Sequence, residues 1–494
     1  MTDGNVVLFP FLAHGHLTPC LDLVRLLSVR YPHLTLTLVT TSGNLPFLRR
    51  LRLPPALRFA ALPFDPSDHG LPPDTNTTFA LPSHLVTIFN HAVMNSLPPH
   101  FRRLLSELIA DESLPPLLCV IADMFLGWTA PVAEELGVFH ATLYTSGPYA
   151  MSIYYSLWIN LPHIGGGDDD EDDEIAIPGI PGVTVRRGQL NPKMRAARSM
   201  DHPSARFVRV QAESGRRSRA TLWNTAEVIE KPFLDAWSRS SDQPVYAVGP
   251  LFSAAGRPAR DDDGLAAECL AWLDAQAPRS VVYVSFGSQN RLPPKEAAEL
   301  ATALDKQGRP FLWAAPTADQ APPPPETGES GWRSGMVARG WVPQVDVLGH
   351  AAVGAFVSHG GWNSTLESLR FGVPTVVRPI EGEQFLNAKL LTEVLGAGAE
   401  AVGGKEVAEA VAEVMGEEER GRELRRRARE IAEGLAAAVA EGSGGSEAKG
   451  ASLRALDEFV QYVMRHSGLQ GEVVNETEQN FCGAGHRNNF HGAV

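Results

Sequence analysis

The sequence predicts an α/β protein built from two doubly wound domains, and three observations carry that expectation. The chain has 494 residues, 44% of them hydrophobic, enough for two domains of ordinary size, each with its own core. In the first half, short apolar runs alternate with segments of helical period. A second series of the same kind begins near residue 280.

Residues 5–12 (NVVLFPFL) read as a buried strand, after which Leu17, Cys20, Leu21, Val24 and Leu27 recur at helical spacing. Leu34 to Val39 is a strand again, and strand, helix, strand over so short a span is a βαβ unit with parallel pairing. The pattern returns with LLCVIA at 117–122, a helix through Val132 to Leu136 ended by Gly137, and a strand at His140 to Tyr144. The second half offers the strands SVVYVSFGS (280–288), FLWAA (311–315), GAFVS (354–358) and PTVVR (374–378). Between the halves, residues 243–264 are rich in Pro, Gly and Asp and poor in period, the composition of a linker. The chain therefore divides into an N-terminal domain at 1–245, a linker at 246–265 and a C-terminal domain at 266–448. An amphipathic helix at 449–466 is expected to pack back on the first domain, and the polar tail at 467–494 to be disordered. GGGDDDEDDE (165–174) and APPPPETGESG (321–331) read as solvated loops.

Lys and Arg total 43 against 57 Asp and Glu, a formal charge of −14 that argues against nucleic acid or an anionic membrane surface as partner. The N-terminus lacks a basic region, and Pro10, His14 and Gly15 break its apolar run, so no signal peptide is read. No stretch approaches the roughly 20 apolar residues of a membrane span, and a cytoplasmic protein is expected. The four cysteines, Cys20, Cys119, Cys269 and Cys482, show neither paired nor metal-ligand spacing. The aspartate runs at 168–170 and 261–263 are expected to be solvated, and no metal or other cofactor is called for. No helix shows a sustained heptad seam, so a monomer is expected.

In open α/β sheets, ligands bind where loops leave the carboxyl ends of the strands, and every candidate falls at such a loop. GAFVSHGGWNSTLESLRFG runs from a strand through His359, Gly360 and Gly361 into a helix closing at Gly372. Free N–H groups and the macrodipole at that helix start suit a diphosphate, with His359, Asn363 and Ser364 as added donors. Trp341, in WVPQ, offers an indole for stacking on a base, and Glu367 can accept from ribose hydroxyls. Glu383 and Gln384 open the next helix, where they can read sugar hydroxyls. In the first half, His16 at the entrance of the first helix and Asp123 at the end of LLCVIA share a rim. A neutral imidazole there can take a hydroxyl's proton while a carboxylate behind it fixes the tautomer. His14 is the rival base, expected to turn away, and Asp123 has an alternative role as a helix N-cap.

Residues Trp341 to Gln384 resemble the signature box of plant family 1 UDP-dependent glycosyltransferases, from W-x-P-Q through H-x-G-W-N-S-x-x-E and G-V-P to the closing acidic-Gln pair. The opening PF-x-x-x-GH-x-x-P, the VIAD segment, the G-P-L linker and the SFGS turn extend the likeness over most of the chain. The resemblance implies a GT-B fold, two Rossmann-like domains facing across a cleft, with the donor held mostly by the C-terminal one. It assigns Trp341, with Val342 beside it, to uracil, Gln344 and Glu367 to the ribose, and His359, Gly361, Asn363, Ser364 and Ser288 to the diphosphate. Trp362, Glu383 and Gln384 would contact the sugar, with Thr145 reaching it from the opposite side. His16 and Asp123 match the family's catalytic pair, implying inverting transfer from UDP-glucose to a hydroxyl, without metal.

Arg378 and the residues Ile380 and Glu381 depart from the signature, and a cation near the sugar would favour a uronic acid. Trp362 and Gln384 favour glucose. Phe79 to Leu97 and Tyr144 to Trp158, rich in Phe, Tyr, Met and Leu, predict a pocket for a small lipophilic acceptor: phenolic, flavonoid or terpenoid. A catalytically silent sugar-nucleotide sensor is the alternative, opposed by the presence of both His16 and Asp123. A nicotinamide-dependent oxidoreductase lacks its G-x-G-x-x-G.

Overall fold

The computed structural model describes residues 4–79, 81–164, 171–252, 263–324, 332–442 and 449–467. Seven strands form the first sheet: β1 (Gly4–Phe9), β2 (Leu34–Thr41), β3 (Arg58–Leu62), β4 (Leu117–Asp123), β5 (Phe139–Tyr144), β8 (Ala220–Trp223) and β9 (Val245–Ala247). Their order is β3-β2-β1-β4-β5-β8-β9 and every pairing is parallel. A small antiparallel hairpin, β6 (Glu174–Ala176) and β7 (Thr184–Arg186), stands apart. The second sheet comprises β10 (Val281–Ser285), β11 (Phe311–Ala315), β12 (Gly335–Arg339), β13 (Val353–Ser358), β14 (Thr375–Val377) and β15 (Gly398–Glu400). It is parallel throughout, in the order β12-β11-β10-β13-β14-β15.

Both sheets are covered on both faces, which explains why their strands read as continuous apolar runs. In β1, Val6 and Leu8 enter one core while Val7 and Phe9 enter the core on the opposite face. In β10 the same alternation sends Val282 and Val284 one way and Val281 and Tyr283 the other. A further core belongs to both halves, joining Tyr144, Tyr149, Trp158, Trp223 and Trp237 of the first to Trp362, Leu366, Leu386 and Leu390 of the second.

The strands expected from pattern are present, with β1 ending at Phe9 rather than at residue 12 because Pro10 cannot donate to a ladder. Strands β3, β8, β12 and β15 lie in stretches that carried no clear alternation. The linker boundary needs correction: Val245–Ala247 is β9, paired in parallel with β8, so the first sheet reaches into the stretch read as linker. Residues 253–262 of that linker, the aspartates at 168–170 and 261–262, and residues 468–494 with Cys482 lie outside the described residues.

The last helix, Ala451–His466, crosses back to the first half. Leu456, Phe459, Val460 and Val463 pack into the core beneath β1 and β4. Asp457 accepts from Arg30 Nη2 at 3.1 Å, Lys449 Nζ at 2.9 Å and the Tyr31 hydroxyl. Phe459→Ala should therefore lower unfolding free energy by about 3 kcal/mol in denaturant titration, since a large buried ring leaves a cavity. A loss below about 1 kcal/mol would show that the helix is dispensable to the first domain.

Candidate active site

The carboxyl ends of the two sheets face each other across a cavity of about 950 Å³. From the first half, His16 and Thr145 line it; from the second come Ser288, Trp341, Val342, Gln344, His359, Gly361, Trp362, Asn363, Ser364, Glu367, Glu383 and Gln384. Asp123 does not line the cavity, because it stands behind His16 with its side chain only 1% exposed.

His16 lies in the first turn of the helix His14–Arg30, which starts immediately after the β1 loop. Its Nδ1–H donates to Asp123 Oδ2 at 2.8 Å, and Thr145 Oγ1 lies 3.1 Å from the same nitrogen. The second Asp123 oxygen accepts the Phe125 N–H at 2.8 Å, capping the short 3₁₀ turn Met124–Leu126. Asp123 thus caps this turn with one oxygen and bonds the imidazole with the other, so the cap fixes the orientation of the carboxylate. Phe125 packs on the His16 ring at 4.7 Å and Phe11 meets it edge-on at 5.5 Å. With Nδ1 committed, Nε2 is the nitrogen able to accept a proton. Burial lowers the proton affinity of His16, but the Asp123 charge, its hydrogen bond and the Glu383 charge outweigh it, leaving the pKa raised.

His14 turns away from this pair, as expected. It stacks on Phe47 at 5.6 Å, packs at 5.0 Å from Phe79, and meets the edge of Trp341 at 5.9 Å. Trp341 is 37% exposed at the cavity wall, a placement open to a stacking base. Beside it, Gln344 Nε2 donates to Glu367 Oε2 at 2.6 Å and to Ser364 Oγ at 2.9 Å. The Tyr283 hydroxyl donates to Gln344 Oε1 at 3.2 Å, a partner that sequence reasoning missed because Tyr283 reads as strand interior.

At the start of the helix Trp362–Arg370, His359 is enclosed by two glycines. A Cβ on Gly287, whose φ is +72°, would lie 2.8 Å from the His359 ring, and one on Gly361 would collide with it. Burial pulls the His359 pKa down to about 4, against a weaker opposing hydrogen bond from the ring to the Ser285 backbone carbonyl. An imidazole held neutral in this way keeps one ring N–H to offer, in keeping with the added-donor role expected of His359.

Several side chains assigned to the ligand are engaged between the halves. Trp362 is 3% exposed and its indole N–H donates to the Asn224 carbonyl at 2.7 Å, so its side chain is a tie between domains rather than a sugar reader. Asn363 Nδ2 donates to the Gly15 carbonyl at 2.8 Å, reaching the turn that precedes His16 instead of pointing only at a diphosphate. Thr145 is turned to His16 rather than to a sugar. Glu383 accepts from Ser146 Oγ at 3.4 Å, and Gln384 Oε1 accepts the N–H groups of Ile380 and Glu381, both at 2.9 Å, which fixes its amide plane. Arg378 is removed as a sugar-site cation. It forms a two-pronged pair with Glu296, Nε to Oε1 at 2.7 Å and Nη2 to Oε2 at 3.0 Å, outside the cavity lining.

Sequence reasoning also missed Glu230, fully buried beneath the loop that carries Thr145. It accepts from the Tyr149 N–H at 3.0 Å and the Thr225 hydroxyl at 2.5 Å, and burial pushes its pKa up to about 7 despite those bonds. No local pattern marks such a residue, since its burial depends on the Tyr149 loop, 81 residues away in sequence. The acceptor side of the cavity is lined by Phe11, Val86, Phe125, Met151, Trp158 and Phe207, an apolar wall beside the His16 ring. Among the described residues no group of His, Cys, Asp and Glu could hold a metal ion, and no helix is long and apolar enough to cross a membrane.

Two doubly wound domains of GT-B form, with a glycine-flanked helix start facing a His–Asp pair, define a sugar-nucleotide-dependent transferase. A family model described as "UDP-glucoronosyl and UDP-glucosyl transferase" matches residues 244–424. The chain is 37% identical over 413 residues to crocetin glucosyltransferase 3 of Crocus sativus, covering 80% of this chain and 85% of that one. It is 32% identical to UDP-glycosyltransferase 92A1 of Arabidopsis thaliana, over 93% and 97% of the two chains. Among solved structures, UGT2 of Phytolacca americana, complexed with UDP-2-fluoro-glucose and pterostilbene, superposes with a TM-score of 0.75 at 25% identity, covering 93% and 100%. The chain belongs to the plant family 1 UDP-glycosyltransferases, enzymes acting on small molecules.

The raised pKa of His16 sets a testable pH profile. A base must be unprotonated, so kcat/KM should fall toward acid with a midpoint above the ordinary histidine value of 6.5. Asp123→Asn removes the charge that raises it, so the midpoint should move to lower pH while the rate drops by about 10²- to 10⁴-fold. An acid limb unmoved by the substitution would separate the titrating group from this pair.

Proposed function

We propose that the protein transfers glucose from UDP-glucose to a hydroxyl of a small lipophilic acceptor, phenolic, flavonoid or terpenoid, giving a β-glucoside. The observation that carries the proposal is the His16–Asp123 contact of 2.8 Å, backed by a buried carboxylate and opening on the cavity that the signature residues line from the other side. His16 Nε2 takes the proton from the acceptor hydroxyl, and Asp123 stabilises the imidazolium that forms. The acceptor oxygen attacks the anomeric carbon as the bond to the diphosphate breaks on the opposite face, in one displacement with inversion. Electrons of the broken bond leave with UDP.

Backbone N–H groups at the start of the helix Trp362–Arg370, the neutral His359 and the Ser288 and Ser364 hydroxyls supply donors for the departing diphosphate. That set supports metal-independent transfer. Trp341 supports base stacking, and Gln344 with Glu367 supports ribose recognition by exchanging their mutual hydrogen bond for hydroxyl partners. Glu383 and Gln384 are the sugar readers we assign. Trp362 retains that role only through its backbone. The complex of UGT2 of Phytolacca americana with UDP-2-fluoro-glucose and pterostilbene supports both a glucose donor and an aromatic acceptor here. Pairing of Arg378 with Glu296 removes the one observation that favoured a uronic acid donor. A monomer in the cytosol completes the proposal.

Product formation from UDP-glucose and a panel of phenolic and terpenoid alcohols, with chelator present, tests it. Wild type should form a glucoside, and His16→Ala should reduce turnover by about 10²-fold or more while leaving UDP affinity within a few-fold. UDP-glucose binding without turnover on any acceptor would favour the silent sensor, and turnover indifferent to His16 would require another base.

A further inference from the structure

One carboxylate ties the two halves together at the acceptor side of the cleft. Glu381 lies in the loop between β14 and the helix Gln384–Lys389, and its Oε1 accepts from Ser83 Oγ at 2.7 Å while contacting Lys193 Nζ. Ser83 opens the helix Ser83–Ser96 and Lys193 belongs to the short helix Pro192–Ala196, both in the first half. Lys193 Nζ also donates to the Ser83 carbonyl at 3.4 Å, and Asn191 Nδ2 to the Gly382 carbonyl at 2.9 Å. All five residues line the same cavity as His16. The side chains of Lys193 and Glu381 are 31% and 32% exposed, which places the pair at the mouth rather than in the core.

We propose that the Lys193–Glu381–Ser83 bridge is an acceptor-size gate that selects compact acceptors over long ones. What passes the gate is an acceptor on the strength of the transferase function proposed above. A compact acceptor seated on the apolar wall beside His16 leaves the bridge intact. One that extends past that wall must part Lys193 from Glu381 and Ser83 from both, and it offers apolar surface in exchange for charged and hydroxyl partners. A partly exposed ion pair is weak and screened by salt, so the gate discriminates by a modest factor instead of sealing the cleft. The backbone N–H of Glu381 holds Gln384 Oε1, a bond that side-chain changes at Glu381 leave in place. Gate and donor site can therefore be perturbed separately.

The test compares wild type with Lys193→Met and Glu381→Gln. Binding of 4-nitrophenol, as compact probe, and betulin, a pentacyclic diol, as bulky probe is measured by calorimetry at low and high salt. UDP binding serves as the check that the fold is intact. In both variants betulin should bind two- to tenfold tighter, with 4-nitrophenol and UDP changed less than twofold. Raising salt should move wild type toward the variants and leave the variants unmoved. A parallel change for both probes, weaker betulin binding, or failure of betulin to bind either variant would overturn the gate. Binding needs no turnover, so a wild type that transfers no glucose counts against the transferase function alone. Glucose transfer with an unchanged size ratio counts against the gate alone.

Discussion

Parallel sheets covered on both faces leave only the carboxyl ends of their strands open to a ligand, and here two such ends are held against each other by a core that neither half owns alone. Trp362 is the pivot of that arrangement. Its ring lies among the side chains shared between the halves, and its indole N–H reaches the Asn224 carbonyl. The next residue, Asn363, ties the same helix start to the Gly15 carbonyl, one residue before His16. The start of the helix Trp362–Arg370 and the His16 imidazole are thus positioned by adjacent residues of one turn. Proximity of this kind is what converts a bimolecular encounter into an oriented one.

Two histidines in the same cavity have been driven to opposite behaviour by their surroundings. His16 is buried against a carboxylate that it bonds directly, and a second carboxylate, Glu383, adds to the field, so its affinity for a proton rises. His359 is the more buried of the two but faces glycines and backbone, and its affinity falls. Groups separated in this way suit the division of labour proposed for them, proton acceptor at His16 and neutral donor at His359. In the proposed mechanism the transferred proton and the departing negative charge would appear at opposite walls of one cleft.

Strand positions were legible where a buried strand is a long enough uninterrupted apolar run: LLCVIA and FLWAA coincide with β4 and β11 almost to the residue, whereas the four-residue β8, equally buried, carries too short a run to be read. Edge strands such as β3 and β9 carry no such run. β9 was hidden inside a Pro- and Gly-rich stretch, where its membership of the sheet depends on pairing with β8. At the site, residue types at strand ends pointed to Trp341, His359, Asn363, Ser364, Glu367, Glu383 and Gln384, whereas Ser288, Val342, Gln344, Trp362 and Thr145 came only with the family resemblance; all of them line the cavity. What local pattern could not supply was direction. Trp362, Asn363 and Thr145 carry suitable donors, yet their hydrogen bonds run to Asn224, Gly15 and His16, partners more than 125 residues away in sequence. Arg378, just past β14, has the type of a site cation, but Glu296 of the helix Pro294–Lys306 pairs with it. Charge and hydrogen bonding between remote segments are properties of the fold, and no window of sequence contains them.

The proposed mechanism's most direct consequence is stereochemical, because His16 and the helix start proposed to hold the diphosphate stand on opposite walls of the cavity. The anomeric configuration of the purified product, read by proton NMR immediately after a single round of transfer from UDP-glucose, tests this. A β-glucoside is expected from one displacement on the face opposite UDP. An α-glucoside would contradict it, requiring either a second displacement through a nucleophile that the cavity has not been assigned or attack from the same face as the leaving group.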